Sequence, residues 1–215
     1  MNRLNEMTGP LLKDKAYIAI KQGILEGVYK PGVILSEKTL VEDLGMSKTP
    51  IKSAIDRLES EGFVVVSSNR GMVIQDISID RINDIYSLRI ALEAYNCELI
   101  YERVTDTDLK KLEENLEEAS KYIAKQDVKK FAELDHQFHL IICDIAGNKE
   151  IKNILLNYND HLYLITLKHL NKEPERMHKF HEDHLNLLEE LRKHDKSCIE
   201  SMKAHLDSSR RMLFQ

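Results

Sequence analysis

One short segment of the chain, LDHQFHLII at residues 134–142, carries side chains that could bind a metal ion. In a helix each residue turns by about 100°, so Asp135 and His139, four positions apart, lie one above the other on a single face. Phe138 flanks this face, which predicts that it points into the protein, whereas His136 is predicted to face solvent. A carboxylate on a buried face needs a partner, because unpaired buried charge is costly. A mutual hydrogen bond or a shared metal ion would each supply one.

Two more histidines lie further along the chain, in other helical segments. His184 is at the edge of an apolar stripe, and His205 shares its neighbourhood with Met202 and Leu206. With the first segment, they could bring one carboxylate and three imidazoles from three helices to one centre. One oxygen and three nitrogen donors suit Zn²⁺, Ni²⁺, Mn²⁺ or Fe²⁺, and they leave a coordination position for water or a ligand. The pattern therefore favours a divalent transition metal, with Zn²⁺ as the first choice.

The elements that would position these side chains are helices. From Ser78 onward six segments with apolar residues at helical spacing follow one another, joined by short connections. The segment with the aspartate and histidine pair is predicted to begin at Asp127 and to end at Gly147, and Pro174 separates the fourth helix from the fifth. Short connections place successive helices side by side and antiparallel. We therefore predict an all-helical antiparallel bundle of about six helices over residues 77–215.

The first part of the chain, residues 1–76, has a different pattern. A helix is followed by a short helix capped by Ser36, a tight turn, a second helix capped by Ser47, and two β-rich runs around residues 67–71. This order is that of a winged helix-turn-helix, in which the second helix of the pair enters the major groove. A small α+β module that binds protein is the alternative. The whole chain is thus predicted to be mainly α.

Charge also separates the two parts. The net charge of −5 argues against a protein that binds polyanions without selectivity, through its overall charge alone. Residues 1–75 carry a balance of +1 and residues 76–215 a balance of −6, and all nine histidines lie in the second part. This difference favours two domains.

The sequence predicts a cytoplasmic protein. No apolar run approaches the roughly 18–20 residues that span a bilayer, and the amino terminus lacks the apolar block of a signal peptide. Cys97, Cys143 and Cys198 are too few and too scattered for a disulfide framework. We expect them to be reduced, as thiols are in the cytosol.

Residues 24–64 resemble the DNA-binding domain of GntR-family bacterial transcription regulators. The motifs that carry the resemblance are a PG turn, an L-x-E-x-x-L run, an S-x-T-P segment and an L-E-x-E-G-F close, in the family's order and spacing. The resemblance implies that the chain binds double-stranded DNA. The family usually has arginine at three DNA-facing positions, where this chain has Lys38, Lys48 and Lys52.

This substitution has a physical consequence for the way DNA is read. An arginine fork can hold guanine O6 and N7 together, whereas lysine presents a point charge. Contacts with phosphate should survive the change, and reading of guanine is the property it alters. The residues predicted to contact DNA are Lys38, Ser47, Lys48, Thr49 and Lys52, with Asn69, Arg70 and Gly71 at the tip of the wing.

The resemblance continues through residues 80–210, which are similar to the FCD ligand-sensing domain of the FadR-type GntR subgroup. The segments that carry it are YSLRIALEAYNCELIYERVTDTDL, FAELDHQFHLIICDIAGN and EDHLNLLEELRKHDKSCIESMKAHL. In metal-binding members the ligands are an aspartate, a histidine four residues later and one histidine from each of two later helices. The resemblance therefore implies a metal held by Asp135, His139, His184 and His205.

The same resemblance implies a ligand for the pocket. Similar domains bind small carboxylates, often directly on the metal. Arg89 matches a family arginine that tends to face the pocket, and a buried guanidinium can bind a carboxylate through two parallel hydrogen bonds. An internal ion pair with Glu93 is the alternative role for this arginine. Asn148 is predicted to be a helix-end residue rather than a ligand contact.

Two classes of function follow from these observations. The first is a homodimeric transcription regulator, in which two winged helices bind a pseudo-palindromic operator and a small organic acid in the metal-containing pocket changes their affinity for it. Repression relieved by ligand is the commoner mode in similar proteins. The alternative is a metal-dependent hydrolase that uses the Asp/His₃ site to activate water. No general base stands out beside that site, which favours the regulator.

Overall fold

The computed structural model describes residues 11–67 and 71–213. The chain divides into two compact units, the first extending to Ile77 and the second beginning at Ser78. The described residues form nine α-helices and three short β-strands. The predicted fold class, mainly α with a winged helix followed by a six-helix bundle, is confirmed.

The first unit is a three-helix core with a small sheet. Its elements are α1 (Leu12–Leu25), β1 (Ile34–Leu35), α2 (Glu37–Leu44), α3 (Lys48–Glu61), β2 (Val64–Ser67) and β3 (Gly71–Ile74). Ser36 caps α2 as predicted, since its Oγ accepts a hydrogen bond from the Thr39 backbone N–H at 3.0 Å. Ser47 occupies the N-cap position of α3, but its side chain makes no capping hydrogen bond. Ser47 is an exposed residue at the start of that helix.

The sheet contains one strand more than the predicted hairpin. The strand order is β1-β3-β2, and both pairings are antiparallel. The additional strand is the two-residue β1, which pairs with β3. Gly71, at the start of β3, has a φ of +85°, and a Cβ at this position would lie 2.4 Å from the carbonyl oxygen of Leu35. Only glycine fits where β3 passes so close to β1.

The second unit consists of six consecutive helices. They are α4 (Ile79–Ile100), α5 (Asp106–Ala124), α6 (Val128–Ala146), α7 (Lys149–Lys172), α8 (Arg176–Arg192) and α9 (Cys198–Met212). Asp127 caps α6, and Gly147 ends it in the left-handed conformation, both as predicted. Asn148 caps α7, because its Oδ1 accepts hydrogen bonds from the backbone of Glu150 and Ile151. These signals fix the start and end of the helix that carries the aspartate and histidine pair.

Helix α6 lies in the middle of the bundle. It packs against α4, α5, α7 and α8, while α9 packs against α4 and α8. Large side chains of α6, among them Phe131, Phe138 and Ile142, are almost fully buried. Three polar side chains of this helix, Asp135, His136 and His139, are therefore enclosed by neighbouring helices.

Two further observations concern membrane-spanning segments and the cysteines. Among the described residues, no helix is both long enough and apolar enough to cross a membrane. Cys97, Cys143 and Cys198 are buried, and their thiols are free.

Candidate metal centre and nucleic-acid interface

Three imidazoles meet inside the second unit. His139 on α6, His184 on α8 and His205 on α9 are each at most 5% exposed. The Nε2 atom of His184 lies 3.1 Å from Nε2 of His139 and 3.2 Å from Nε2 of His205. The ligand nitrogens of all three lie within 4.8 Å of one another. The structure thus brings three of the four predicted ligands to one point.

Two carboxylates face the opposite nitrogens of these rings. Nδ1 of His139 lies 2.5 Å from Oε2 of Glu93, a close contact whose angles are not those of a regular hydrogen bond. Nδ1 of His205 lies 3.2 Å from Oδ2 of Asp183. A carboxylate beside Nδ1 favours a proton on that nitrogen and leaves the lone pair on Nε2. The Nε2 lone pairs of His139 and His205 then both point at Nε2 of His184. That atom carries at most one hydrogen, so it cannot donate a full hydrogen bond to each of them.

Such an arrangement fits a cation at the meeting point. For Zn–N bonds of about 2.0–2.1 Å, tetrahedral geometry puts neighbouring ligand atoms about 3.3 Å apart, close to the observed separations. Asp135 is the fourth predicted ligand. Its Oδ1 lies 3.8 Å from Nε2 of His184 and has no hydrogen-bond partner among the described residues. A shift of a few tenths of an ångström would bring this oxygen to ligand distance.

Burial determines the protonation of the site. It lowers the pKa of His139 and His184 well below the usual histidine range, with nearby positive charge as the next cause. Both rings are therefore neutral near pH 7, which is the form that binds a metal. Burial also raises the pKa of Asp135 to about 6, although His205 and Arg89 oppose that rise. A carboxylate and three imidazoles enclosed in this way match the donor preferences of Zn²⁺ and its neighbours in the first transition series.

His136 was predicted to face solvent, and that prediction is wrong. Its side chain is 5% exposed, and its Nε2 lies 3.1 Å from the hydroxyl of Thr166 on α7. The reason is that α7 packs against the side of α6 that carries His136. A helix with only one buried face would have left this side exposed to water. Burial lowers the pKa of His136 to about 3, so the ring is a neutral hydrogen-bonding group of the core.

Arg89 is buried on α4 and pairs with Glu93, the alternative considered from the sequence. Its Nε contacts Oε1 of the glutamate, and the two side chains are almost completely enclosed. One guanidinium nitrogen, Nη2, has no hydrogen-bond partner among the described residues. The ion pair therefore uses only part of the fork and leaves a buried donor available.

The predicted DNA-contacting residues of the helix pair lie at the surface of the first unit. Lys48, Thr49 and Lys52 are exposed on α3, and the buried face of that helix is formed by Ile51, Ala54, Ile55 and Leu58. Lys48 pairs with Glu37 at 3.2 Å and Lys38 with Glu42 at 3.7 Å. Surface ion pairs of this kind are weak and leave the ammonium groups available to phosphate. Gly71 begins β3, whereas Asn69 and Arg70 lie outside the described residues.

Two family profiles match the chain. Residues 12–74 match the profile described as "Bacterial regulatory proteins, gntR family", and residues 84–208 match that of the FCD domain. The second match alone covers more than half of the chain. The chain belongs to the GntR regulators that carry an FCD domain. It is therefore a DNA-binding transcriptional regulator.

Relatives of this GntR/FCD regulator support the assignment. The chain is 29% identical over 192 residues to the uncharacterized HTH-type transcriptional regulator YdhC of Bacillus subtilis, covering 88% of this chain and 84% of that protein. It is 24% identical over 199 residues to the HTH-type transcriptional repressor RspR of Escherichia coli, covering 91% and 86%. These names are those of transcriptional regulators and not of enzymes, so the hydrolase alternative gains no support.

Solved structures show the same fold. The structure of E. coli McbR/YncC superposes with a TM-score of 0.75 at 24% identity, covering 96% of this chain and 99% of that one. A GntR regulator from Rhodococcus superposes with a TM-score of 0.77 at 17% identity, covering 94% and 97%. GntR regulators bind DNA and usually act as dimers, and FCD domains can bind metals. The three-histidine cluster of this FCD domain is a place that could hold such an ion.

Two residues of the candidate metal centre, Glu93 and Asp183, were not predicted from the sequence. Glu93 was considered only as a partner for Arg89, although a glutamate four residues after the arginine shares its buried face. Asp183 was not considered, because its contact with His205 joins two helices. The position of Glu93 was readable from helical spacing, whereas that of Asp183 depends on how α8 and α9 pack.

Proposed function

We propose that this protein is a homodimeric GntR/FCD repressor whose affinity for its operator changes when a small organic acid binds beside a metal ion in the FCD domain. Residues 1–76 would bind DNA, and residues 77–215 would bind the effector and form the dimer. The convergence of three buried Nε2 atoms, 3.1 and 3.2 Å apart, is the observation that carries the proposal.

The proposed metal ligands are the three clustered histidines and one aspartate. Zn²⁺ suits the donor set best, with Ni²⁺, Mn²⁺ and Fe²⁺ as the other candidates. The ligands would be Asp135, His139, His184 and His205. When bound, the metal would supply a positively charged coordination site for one oxygen of a carboxylate.

Arg89 is the proposed second contact of the effector. Its Nη2 is a buried donor without a partner among the described residues, and Glu93 joins the same guanidinium to His139. A small carboxylate is the chemical class that satisfies a metal ion and a guanidinium donor together. We therefore propose that the effector binds between α4 and the three-histidine cluster.

Binding to DNA is proposed to use α3 in the major groove. Lys48, Thr49 and Lys52 lie on its exposed face, with Ser47 at its start and Lys38 on α2. The hairpin tip at residues 69–71 would reach the neighbouring minor groove. A two-fold dimer presents two such helices, which matches a pseudo-palindromic operator with half-sites on one face of the duplex.

Repression is the proposed direction of control, and the cytoplasm is the proposed location. The repressor RspR, with 24% identity over most of both chains, supports that direction by its name. Release by an effector requires that the effector bind the DNA-free state more tightly, commonly by about 1–3 kcal/mol of coupling.

Metal analysis of the purified protein tests the site. We expect about one divalent ion per chain in the wild type and none in the His139→Ala and Asp135→Ala variants. His178→Ala, which removes an exposed histidine from α8, is the matched control and should keep its metal. A wild-type protein that contains no metal after purification, and takes up none of the four candidate ions, would remove the basis of the proposal.

A gel-shift assay tests the regulator. The full-length protein is expected to bind the DNA upstream of its own gene and to release it when the correct member of a panel of small organic acids is added. Arg89→Met should bind the DNA and ignore the acid. Release of the variant at the same acid concentration would show that the effector binds elsewhere.

A further inference from the structure

His139 and His205, two of the proposed metal ligands, share a feature that His184 does not show among the residues the structure describes. Each has a carboxylate beside its Nδ1, and the two carboxylates come from different helices, Glu93 from α4 and Asp183 from α8. The Nε2 atoms of both rings point at His184. The carboxylates therefore lie on the side of each ring that faces away from the proposed ion.

We propose that Glu93 and Asp183 are positioning residues that hold His139 and His205 with Nδ1 protonated and Nε2 directed at the metal. This inference rests on the proposed metal site and extends it outward by one layer of contacts. A neutral imidazole has two tautomers, and only the one with its hydrogen on Nδ1 presents an Nε2 lone pair. A carboxylate beside Nδ1 favours the hydrogen on that nitrogen. Where it also accepts a hydrogen bond, as Asp183 is placed to do for His205, it fixes the ring and makes Nε2 a stronger donor to metal.

The two carboxylates are held in different ways. Glu93 is 1% exposed, and its other oxygen contacts Arg89, so a single carboxylate lies between the guanidinium and the imidazole. Through this contact the proposed effector residue and a metal ligand share one negative charge. Asp183 is 15% exposed, and its Oδ1 accepts a hydrogen bond from Nζ of Lys179 at 2.6 Å.

Asp183 is the better residue for a test, because it is partly exposed whereas Glu93 is almost fully buried. It lines a groove of about 240 Å³ between α8 and α9, together with Lys179, Asn186 and His205. Water in this groove can solvate an asparagine at position 183. The amide keeps the size of the side chain but removes the charge that binds the Nδ1 hydrogen.

The experiment is a zinc competition titration against a chromophoric chelator with the full-length protein. Asp183→Asn is expected to weaken zinc binding about 10–100-fold, the usual effect of removing a carboxylate partner from a ligand histidine. Asp207→Asn on α9 is the matched control, since Asp207 pairs with Arg210 and Arg211 and is similarly exposed. That control should bind zinc as the wild type does.

Lys179→Ala separates positioning from a merely structural role. If Asp183 mattered only through its ion pair with Lys179, removing the lysine would weaken zinc binding as much as Asp183→Asn does. If Asp183 acts on His205, loss of the lysine leaves the aspartate free for the imidazole, and zinc affinity is kept or increased. Equal losses in the two variants would overturn the inference, and so would an unchanged affinity in Asp183→Asn.

A second readout does not depend on the metal. Long-range ¹H–¹⁵N spectra of the metal-free protein distinguish the two imidazole tautomers, and His139 and His205 are expected with the hydrogen on Nδ1. Glu93→Gln and Asp183→Asn should each shift the tautomer of their own histidine alone. A wild type that binds zinc while both rings carry the hydrogen on Nε2 would overturn this inference and leave the metal proposal intact, whereas a wild type that binds no metal would overturn both.

Discussion

Phe138 stacks face to face on His184, with ring centroids 4.2 Å apart and planes inclined by 11°. His184 is the hub of the three-histidine cluster, and within residues 11–67 and 71–213 no carboxylate faces its Nδ1 in the way that Glu93 and Asp183 face its neighbours. The phenyl ring packs flat against this imidazole and restricts its rotation, while the rings of His139 and His205 contact it edge-on. Phe138 belongs to the same helix as Asp135 and His139, so α6 supplies two of the proposed ligands and packs against a third.

Replacement of Phe138 by leucine should affect both stability and metal binding. The loss of aromatic packing in a fully buried position is expected to cost roughly 1–3 kcal/mol of unfolding free energy. Without the stacked ring, His184 can rotate, and zinc affinity should fall several-fold. Chemical denaturation of the metal-free protein and a zinc titration measure the two effects.

Phe131→Leu is the matched control for this variant. Phe131 is also buried on α6, but it packs into an apolar cluster with Leu134, Leu167 and Phe180. We expect a similar loss of stability with no change in zinc affinity. A parallel loss of zinc affinity in both variants would mean that general loosening of α6, rather than the stacking, explains the effect.

Removal of the metal should lower the melting temperature of the second unit. A ligand that binds only the folded state stabilises it by about 4 kcal/mol when its free concentration is a thousand times its Kd. Zinc is therefore expected to raise the melting temperature of the wild type, and a chelator to reverse the change. The rise should be absent from His205→Ala and present in His178→Ala, and a zinc-dependent rise of equal size in both would contradict the assigned site.

Gly71→Ala should destabilise the winged unit by more than its conformation alone would cost. A φ of +85° is strained for any other residue, and the added Cβ would also meet the Leu35 carbonyl oxygen at 2.4 Å. We expect a loss of at least 2 kcal/mol, roughly twice that of Gly27→Ala. Gly27 has a similar φ of +78°, but nothing lies within 4 Å of its added Cβ. Equal losses in the two variants, measured by denaturation, would show that β3 moves away from β1 without cost.

Lys48→Ala and Lys52→Ala should weaken operator binding and make it less sensitive to salt. Each lost phosphate contact is expected to reduce the slope of log K against log salt by about 0.9. Lys15→Ala, at an exposed position of α1, is the control and should leave both quantities unchanged. Fluorescence anisotropy at several salt concentrations measures the slopes, and unchanged affinity in both α3 variants would mean that another element enters the groove.

The parts of the fold that depend on neighbouring residues could be predicted from the sequence. The ends of α6 followed from Asp127 and Gly147, and the shared face of Asp135 and His139 followed from helical spacing. Both depend on interactions within one turn of helix. At such positions, the residues within one helical turn determine the local structure.

The parts that depend on packing between helices could not be predicted in this way. His136 is buried because α7 lies across it, and no pattern within α6 reveals where α7 packs. The contact of Asp183 with His205 and the pairing of β1 with β3 have the same origin. In each case the decisive neighbour is distant in sequence. The convergence of the four proposed ligands was predicted across such distances, from the apolar faces of their helices and from the resemblance to a family.

The positions of the three imidazoles along the chain have a topological consequence. His139 precedes His184 by 45 residues, and His205 follows it by 21. One ion bound to all three would close two loops of these lengths, and cross-links of that kind restrict the unfolded chain in the same way as disulfides. The protein keeps its three cysteines apart from any disulfide. The metal would thus be a reversible cross-link within the bundle. How firmly the last helix, α9, is held in the bundle would then depend on the supply of metal.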